Sequence, residues 1–180
     1  MNEVRITGGS ARGRTLRVPE GGAVRPTSSR VREALFSIVG QDLGGLRVLD
    51  AFGGSGLLAL EAWSRGARVV CVERDPRHAA VIRTNVAALR ADVEVVQADV
   101  LARVSELGRF DGALVDPPYA LAPGPILDGL APWIDGWLVF EAAGATHVPG
   151  RVEGLVRDRP RRFGDTTLHV LRRGGAGDGG

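Results

Sequence analysis

The 180-residue sequence contains no lysine, so all 23 of its basic residues are arginine. Its one cysteine, Cys71, lies in an apolar run and excludes an internal disulfide framework. No apolar run reaches the roughly 18–20 residues that a membrane span requires. The N-terminal segment also lacks the basic and then apolar pattern of a signal peptide. We therefore expect a cytoplasmic protein.

Metal-binding patterns are missing as well. The three histidines, His78, His147 and His169, are far apart and have no cysteine or acid at the spacing of metal ligands. The sequence also has no Gly-x-Ser-x-Gly nucleophile motif. We expect neither a metal nor a serine nucleophile.

The charges that are present are unevenly distributed. Residues 1–32 contain seven arginines and two acids, whereas residues 46–150 contain nine arginines and thirteen acids. A basic arm on an acidic body suggests that the arm binds a polyanion. It also suggests that the body has a site for a cation.

The length is sufficient for one domain with a substantial core. Thr27 or Ser28 is placed to cap a first helix, which follows a β-rich N-terminal extension. From residue 46 strands alternate with helices, which predicts a doubly wound, mostly parallel α/β sheet with a C-terminal β-hairpin at one edge. The predicted parts of the domain are a basic arm with the first helix (1–40), a core (46–171) and a disordered tail (172–180). Predicted strands are 46–50, 68–73, 93–97, 111–115 and 136–141, with β-like stretches at 153–157 and 166–171; predicted core helices are 57–65, 76–90, 101–107 and 125–130.

Four acids lie at the ends of four successive predicted strands: Asp50, Glu73, Asp99 and Asp116. Parallel strands bring these ends to one edge of the sheet, where ligands of open α/β sheets bind. Four carboxylates would repel a dinucleotide pyrophosphate, and the glycine-rich turn at residues 50–56 is not G-x-G-x-x-G. S-adenosylmethionine fits better, because it combines ribose hydroxyls, a cationic sulfonium and an ammonium group. We therefore expect it as the cofactor.

The sequence Asp116-Pro117-Pro118-Tyr119 ends the fourth predicted core strand. The two prolines make a rigid, extended corner. Such a corner presents one carboxylate, backbone carbonyls and an aromatic ring, which suit a planar amino group such as that of a nucleobase. Hydrogen bonds from the amino group to Asp116 and the Pro117 carbonyl would orient its lone pair.

The segments Arg5–Gly9, Arg12–Arg14, Arg25–Thr27 and Arg30–Phe36 add a set of arginine motifs near the N-terminus. Together with the motifs above, they resemble the RsmD family, which methylates the exocyclic N2 of a guanine in small-subunit (16S) ribosomal RNA. The resemblance covers nearly the whole chain and implies a Rossmann-like class I methyltransferase fold. It departs from the family pattern at Gly54, where alanine is usual, and at Ser28-Ser29, where Thr-Asp is common. The segments that carry it are Arg5–Gly9, Arg12–Arg14, Arg25–Thr27, Arg30–Phe36, Asp50–Gly56, Leu60–Ala62, Ser64–Ala67, Asp116–Tyr119 and Phe163–Thr166.

The resemblance also implies a role for each site residue. Glu73 would bind the ribose hydroxyls, and Asp99 the adenine amine. Asp50, Gly53, Ser55 and Gly56 would border the methionine part of the cofactor, with Phe52 and Val100 completing the cofactor site. Asp116, Pro117, Pro118 and Tyr119 would hold a guanine that has left its stack, and RNA phosphates would be contacted by Arg12, Arg14, Arg25, Arg30 and Arg32.

The expected partner is therefore ribosomal RNA, the small subunit or an assembly intermediate, bound by a monomer. Two alternatives stay open at this point. One is an amino-methyltransferase acting on adenine or cytosine in DNA, although no additional target-recognition domain is evident. The other is a non-catalytic RNA-binding scaffold of the same fold, which the intact glycine-rich turn argues against.

Overall fold

The computed structural model describes residues 2–18 and 28–174. Ser28 caps the first helix, as predicted, by accepting a hydrogen bond from Val31 N at 3.3 Å. The other candidate cap, Thr27, lies outside the described residues, as do Arg25 and most of the predicted disordered tail.

The strands are β1 (Asn2–Arg5), β2 (Thr15–Val18), β3 (Arg47–Asp50), β4 (Arg68–Glu73), β5 (Val93–Gln97), β6 (Phe110–Val115), β7 (Ile134–Ala143), β8 (Arg151–Val152), β9 (Leu155–Arg157), β10 (Arg161–Phe163) and β11 (Thr166–Arg173). The α-helices are α1 (Ser29–Val39), α2 (Leu57–Ser64), α3 (Pro76–Leu89), α4 (Val100–Leu107) and α5 (Pro123–Leu130).

The central sheet has the order β5-β4-β3-β6-β7-β11-β9-β8, with β10 paired to β11. Strands β3 to β7 are mutually parallel, and the strands that follow pair antiparallel. The predicted fold class is therefore confirmed. The strand order reverses between β3 and β6, which is where ligands of such sheets bind.

The C-terminal β structure is more extensive than predicted. β11 lies inside the sheet, paired with β7 on one side and with β9 on the other, instead of forming a simple hairpin at the edge. β10, which pairs Arg161–Phe163 with Thr166–Leu168, was not predicted. Its three residues are too few to show an alternation of apolar and polar side chains.

Two hydrophobic clusters cover the two faces of the sheet. Alternate residues of β3 lie in different clusters, Val48 on the face of α1 and α2, and Leu49 on the face of α4 and α5. This alternation follows from the two-residue period of a strand. Buried apolar strands with helices on both faces are typical of a parallel sheet.

The N-terminal extension is a two-stranded antiparallel hairpin of β1 and β2. It packs on the first face through Ile6 and Leu16, which are both buried. Gly9 has a φ of +76° and contacts α2 so closely that a Cβ atom there would overlap the Ser64 carbonyl oxygen. Glycine at this position therefore permits the hairpin to dock.

No helix in the described residues is long and apolar enough to cross a membrane. Within the same ranges, no group of three histidine, cysteine or acidic side chains is arranged to hold a metal ion.

Candidate active site

The glycine-rich turn joins β3 to α2. Gly56 precedes the helix in a left-handed conformation, with a φ of 78°. A Cβ atom on Gly53 would lie 2.6 Å from Cys71 Sγ and 2.8 Å from Ile82 Cδ1. The close packing of β4 and α3 below the turn thus excludes larger residues at Gly53.

Asp50 ends β3 at this turn and is 1% exposed. Its Oδ2 accepts a hydrogen bond from Ala59 N at 3.0 Å, which ties the carboxylate to α2. Burial raises its pKa from 3.8 to about 7, opposed by hydrogen bonds from the Ala59 and Phe52 amides and reinforced by the charge of Glu73. Its Oδ1 has no hydrogen-bond partner among the described residues. A buried acceptor without a donor fits an ammonium group of a ligand.

Cys71 lies beside Asp50, with 3.9 Å between Sγ and Oδ2. Burial, Asp50 and Glu73 all raise the pKa of this thiol well above its usual value. A neutral, buried thiol is a poor nucleophile. Cys71 therefore packs beneath the turn, as its position in an apolar strand indicates.

Glu73 ends β4 and is half-buried. Its Oε2 accepts a hydrogen bond from Gly54 N at 2.7 Å, and its Oε1 accepts one from Asp75 N at 2.7 Å. Both oxygens keep a second lone pair. The carboxylate is thus fixed in orientation by the glycine-rich turn and can still accept two hydroxyl donors.

Asp99 begins α4 as its N-cap, with Oδ1 accepting a hydrogen bond from Leu101 N at 2.9 Å. The carboxylate is exposed, whereas Val100 beside it is buried. Phe52 lies half-buried against the cluster of the α4 and α5 face. Asp99 and Val100 come to the same edge as Glu73, because β4 and β5 pair in parallel with Glu73 opposite Gln97. Phe52 comes to this edge because it follows β3, which pairs in parallel with β4.

Asp116 follows β6 directly, on the other side of the switch point from the glycine-rich turn. Asp50 pairs with Leu114 in the β3–β6 register, so Asp116 lies about 7 Å farther along its strand. Asp116 is half-buried and Pro117 is buried, which fixes the base of the corner. Tyr119, at the tip of the corner, is 67% exposed. The sheet thus brings the proposed acceptor corner beside the proposed cofactor turn.

The predicted RNA-binding arginines fall into two groups. Arg12, Arg14 and Arg30 are exposed, Arg12 and Arg14 on the hairpin loop and Arg30 on the first turn of α1. Arg12 also lines a groove of about 510 Å³ between the hairpin and α1. These positions leave the three side chains available to a polyanion.

The position of Arg32 in the structure contradicts the prediction that this residue contacts RNA phosphates. Arg32 is 2% exposed. Its Nε donates to Glu61 Oε1 at 3.0 Å, and its Nη2 donates to the Arg5 carbonyl at 2.9 Å. The guanidinium therefore joins α1 to α2 and to the hairpin inside the protein, where it is not accessible to a phosphate.

Glu61, at the other end of that ion pair, has no solvent exposure. It also accepts hydrogen bonds from the Thr7 amide at 2.9 Å and from the Arg65 guanidinium. Sequence reasoning gave it no role. The sequence did contain a signal for this role, because Glu61 stands between Leu60 and Ala62 in an otherwise apolar helix. An acid at such a position is buried, and a buried acid requires a basic partner.

Asn85 is a second residue that sequence reasoning missed. Its Oδ1 accepts a hydrogen bond from Arg17 N at 3.0 Å, and its Nδ2 donates to the Arg17 carbonyl at 2.8 Å. The same Nδ2 lies 3.3 Å from the Ser55 carbonyl in the glycine-rich turn. One buried side chain thus connects β2 of the hairpin with the cofactor turn.

Residues 4–172 match the model of a protein family described as Conserved hypothetical protein 95. The chain belongs to this family. Ribosomal RNA small subunit methyltransferase D of Escherichia coli (strain K12) is 35% identical over 145 residues, which cover 78% of this chain and 72% of that relative. The protein YlbH of Bacillus subtilis (strain 168) is 31% identical over 188 residues, covering 96% of this chain and 100% of the relative. These matches confirm the resemblance to the RsmD family.

A solved structure agrees with this assignment. The Escherichia coli protein yhhF superposes with a TM-score of 0.81 at 30% identity, covering 96% of this chain and 98% of that one. The fold of this RsmD-family chain is therefore shared along nearly its whole length.

Proposed function

We propose that the protein transfers a methyl group from S-adenosylmethionine to the exocyclic N2 of a guanine in small-subunit ribosomal RNA. The observation that carries the proposal is the pairing of β3 with β6, which sets Asp50 and the glycine-rich turn beside Asp116-Pro117-Pro118-Tyr119. The relationship to a ribosomal RNA small subunit methyltransferase supports the choice of substrate. Such a substrate would place the activity in the cytoplasm.

The residues around the turn fit the cofactor. S-adenosylmethionine, when bound, supplies an electrophilic methyl group on a sulfonium centre. The buried Oδ1 of Asp50 is available to its ammonium group. Glu73 is oriented to accept the ribose hydroxyls, and Asp99, exposed at the start of α4, to accept the adenine amine. The bare backbone at Gly53 permits close approach of the ligand.

The acceptor corner supplies orientation. A guanine N2 is a poor nucleophile because its lone pair is delocalised into the ring. Asp116 and the Pro117 carbonyl accept its two N–H groups and turn the lone pair toward the methyl donor, while Tyr119 stacks on the base. Correct alignment of this kind contributes on the order of 7–11 kcal/mol at best. The amine becomes acidic as its bond to carbon forms, so Asp116 acts by orienting it, and the proton can leave to water.

The basic hairpin supplies affinity for the RNA. Arg12, Arg14 and Arg30 are exposed, and their contacts with phosphates position the RNA without choosing the base. All residues invoked here belong to one chain, so we further propose that a monomer is sufficient.

The test is the variant Asp116→Ala, which removes the hydrogen-bond acceptor from the corner. We expect the methyl-transfer rate to small subunits from cells lacking this protein to fall at least about 100-fold. Binding of S-adenosylhomocysteine, measured by calorimetry, should stay within about twofold. Transfer near the wild-type rate would show that Asp116 does not have this role.

Nucleoside analysis of the product decides the substrate. N2-methylguanosine in the small-subunit RNA is expected. Methylated adenine or cytosine in DNA would favour the alternative amino-methyltransferase. A wild-type protein that gives no heat with S-adenosylhomocysteine would favour the non-catalytic scaffold.

A further inference from the structure

The turn between β10 and β11 lies at the same edge of the sheet as the acceptor corner. Thr166, the first residue of β11, pairs with Ala143 at the end of β7. Gly144 N donates to the Asp165 carbonyl at 2.8 Å, which joins that turn to the end of β7. β7 is also the parallel neighbour of β6, with Val115 opposite Phe140. The C-terminal strands thus extend the active-site edge beyond Asp116.

Three arginines occupy this extension: Arg159, Arg161 and Arg162. All three are exposed. Among the ion pairs found in the described residues, none includes them. A Cβ atom on Gly144 would lie 3.5 Å from the Arg162 guanidinium, so this side chain extends across the end of β7.

The acids nearest in sequence leave this positive charge largely uncompensated. Asp158 pairs instead with Arg172, at 3.1 Å. Asp165 is exposed in the turn, and among the described residues its carboxylate forms no ion pair with these arginines. The three arginines therefore form a positive surface beside an acidic edge.

This surface lies on the other side of the acceptor corner from the N-terminal hairpin. The hairpin docks on α2 and α3, which adjoin β3 and β4. β10 lies three strand spacings beyond β6 in the opposite direction, or about 14 Å at the usual spacing. A bound RNA strand whose target base enters at Asp116 therefore has basic side chains on both flanks.

We propose that Arg159, Arg161 and Arg162 form a second phosphate-binding surface, which holds nucleotides flanking the target base opposite the hairpin. The proposal rests on the proposed function and names a further contact of the same substrate. These arginines would contact the phosphates of the RNA and not its bases. The one aromatic residue of β10, Phe163, is half-buried against the core, so its ring is not free to stack on a base. Without such a surface, only the hairpin side of the RNA would be held.

Arginine on a short edge strand has another known use, which is to discourage pairing with other chains. That role predicts aggregation on removal of the charges and no change in RNA affinity. The two roles are therefore separated by a binding measurement on the soluble protein.

The experiment compares two double variants that remove the same charge from opposite edges of one sheet. R161Q/R162Q alters the proposed surface. R68Q/R109Q alters two exposed arginines at the start of β4 and just before β6. Arg109 pairs with the exposed Asp135, and loss of such a pair costs little stability. Thermal unfolding should confirm that both variants fold.

Binding of small-subunit RNA is measured by filter retention over a range of salt concentrations. R161Q/R162Q should weaken binding about tenfold near 0.1 M salt. The slope of log K against log salt should fall by about 1.4–1.8, the value for two lost phosphate contacts. R68Q/R109Q should match the wild type. Equal affinities and slopes for the two variants would overturn the proposal.

Methyl transfer gives an independent readout. In R161Q/R162Q the KM for RNA should rise while kcat at saturating RNA stays within about twofold. If the wild type binds RNA and transfers no methyl group, the proposed function fails, whereas the binding comparison still decides whether this surface contacts RNA.

Discussion

The position of Asp50 favours binding of a cationic ligand, but burial of its charged carboxylate destabilises the folded protein. Its carboxylate is buried, and one of its oxygens has no donor among the described residues. Its pKa is raised to about 7, chiefly by burial. A raised carboxyl pKa means that the folded state binds the proton more tightly than the unfolded state. The resulting stabilisation is complete below pH 3.8 and is lost as pH rises through about 7.

The variant Asp50→Asn tests this behaviour in the cofactor-free protein. Asparagine keeps an acceptor for Ala59 N and cannot ionise. The free energy of unfolding of the variant, relative to the wild type, should increase by a few kcal/mol between pH 4 and pH 8. Urea unfolding at several pH values measures the difference. A difference independent of pH would show that Asp50 does not titrate in this range.

The same substitution should have the opposite effect on ligand binding. An ionised Asp50 attracts the ammonium group of S-adenosylhomocysteine, so wild-type affinity should rise as pH passes about 7. In Asp50→Asn the affinity should be lower and should lack this rise. Calorimetry at pH 6 and pH 8 provides the comparison.

At the scale of single residues, sequence patterns located the acids at the strand ends because those positions follow from the topology alone. They failed for Arg32. Its apolar neighbours on α1 are visible in the sequence, whereas its partner Glu61 lies 29 residues away. No local pattern distinguishes an arginine that points to solvent from one that neutralises a buried acid.

At the scale of elements, the hairpin is held by polar contacts as well as by its apolar residues. Thr7 binds Glu61 on α2, and Arg17 binds Asn85 on α3 through both of its backbone groups. α3 also packs beneath the cofactor turn through Ile82. The hairpin loop therefore has a fixed position relative to the glycine-rich turn.

The variant Asn85→Ala should loosen this connection. It leaves the Arg17 amide and carbonyl without their partner, which costs about 1–3 kcal/mol in the free energy of unfolding. Hydrogen exchange of the Arg17 amide should accelerate, and KM for RNA should rise more than kcat falls. Thr84→Ala is the control, because Thr84 is exposed on the same helix and its hydroxyl donates to the Ala80 carbonyl at 3.0 Å, one turn earlier in α3.

The exchange rate of the Arg17 amide decides whether Asn85 holds β2 in place. If exchange of the Arg17 amide is unchanged in Asn85→Ala, β2 is held by its pairing with β1 and its apolar contacts alone. The KM for RNA should then also remain at the wild-type value.

The order of helices and strands in the core was predictable, because buried strands and amphipathic helices have different periods. β4 and β5 have the predicted bounds, Arg68–Glu73 and Val93–Gln97. The place of β11 inside the sheet was not predictable. Strand order among antiparallel segments depends on contacts between distant residues, such as Leu171 with Leu138, and these leave no local signature.

At the scale of the whole molecule, positive charge lies on two flanks and negative charge along the edge between them. The hairpin loop carries Arg12 and Arg14, and the far flank carries the arginines around β10. This distribution attracts a polyanion to the periphery and leaves the acidic edge for a cationic cofactor. A net formal charge of +2 conceals it.

Replacing Arg12 and Arg14 by glutamine should weaken RNA binding at low salt and reduce the salt slope by about 1.4–1.8. Affinity for S-adenosylhomocysteine should remain within about twofold, because neither side chain lies at the cofactor turn. R68Q/R109Q again serves as the control for lost charge. An unchanged slope would exclude the hairpin loop from the RNA contact.

The docking of the hairpin has a consequence for protein synthesis. Residues 2–18 leave the ribosome before their polar partners Glu61, Ser64 and Asn85, which follow 53 to 68 positions later. At about 5–20 residues per second the nascent hairpin segment waits several seconds for them. During that interval its arginines are exposed beside ribosomal RNA. The segment for which we propose RNA binding thus meets ribosomal RNA while the protein is being made, before α2 and α3 fix its position.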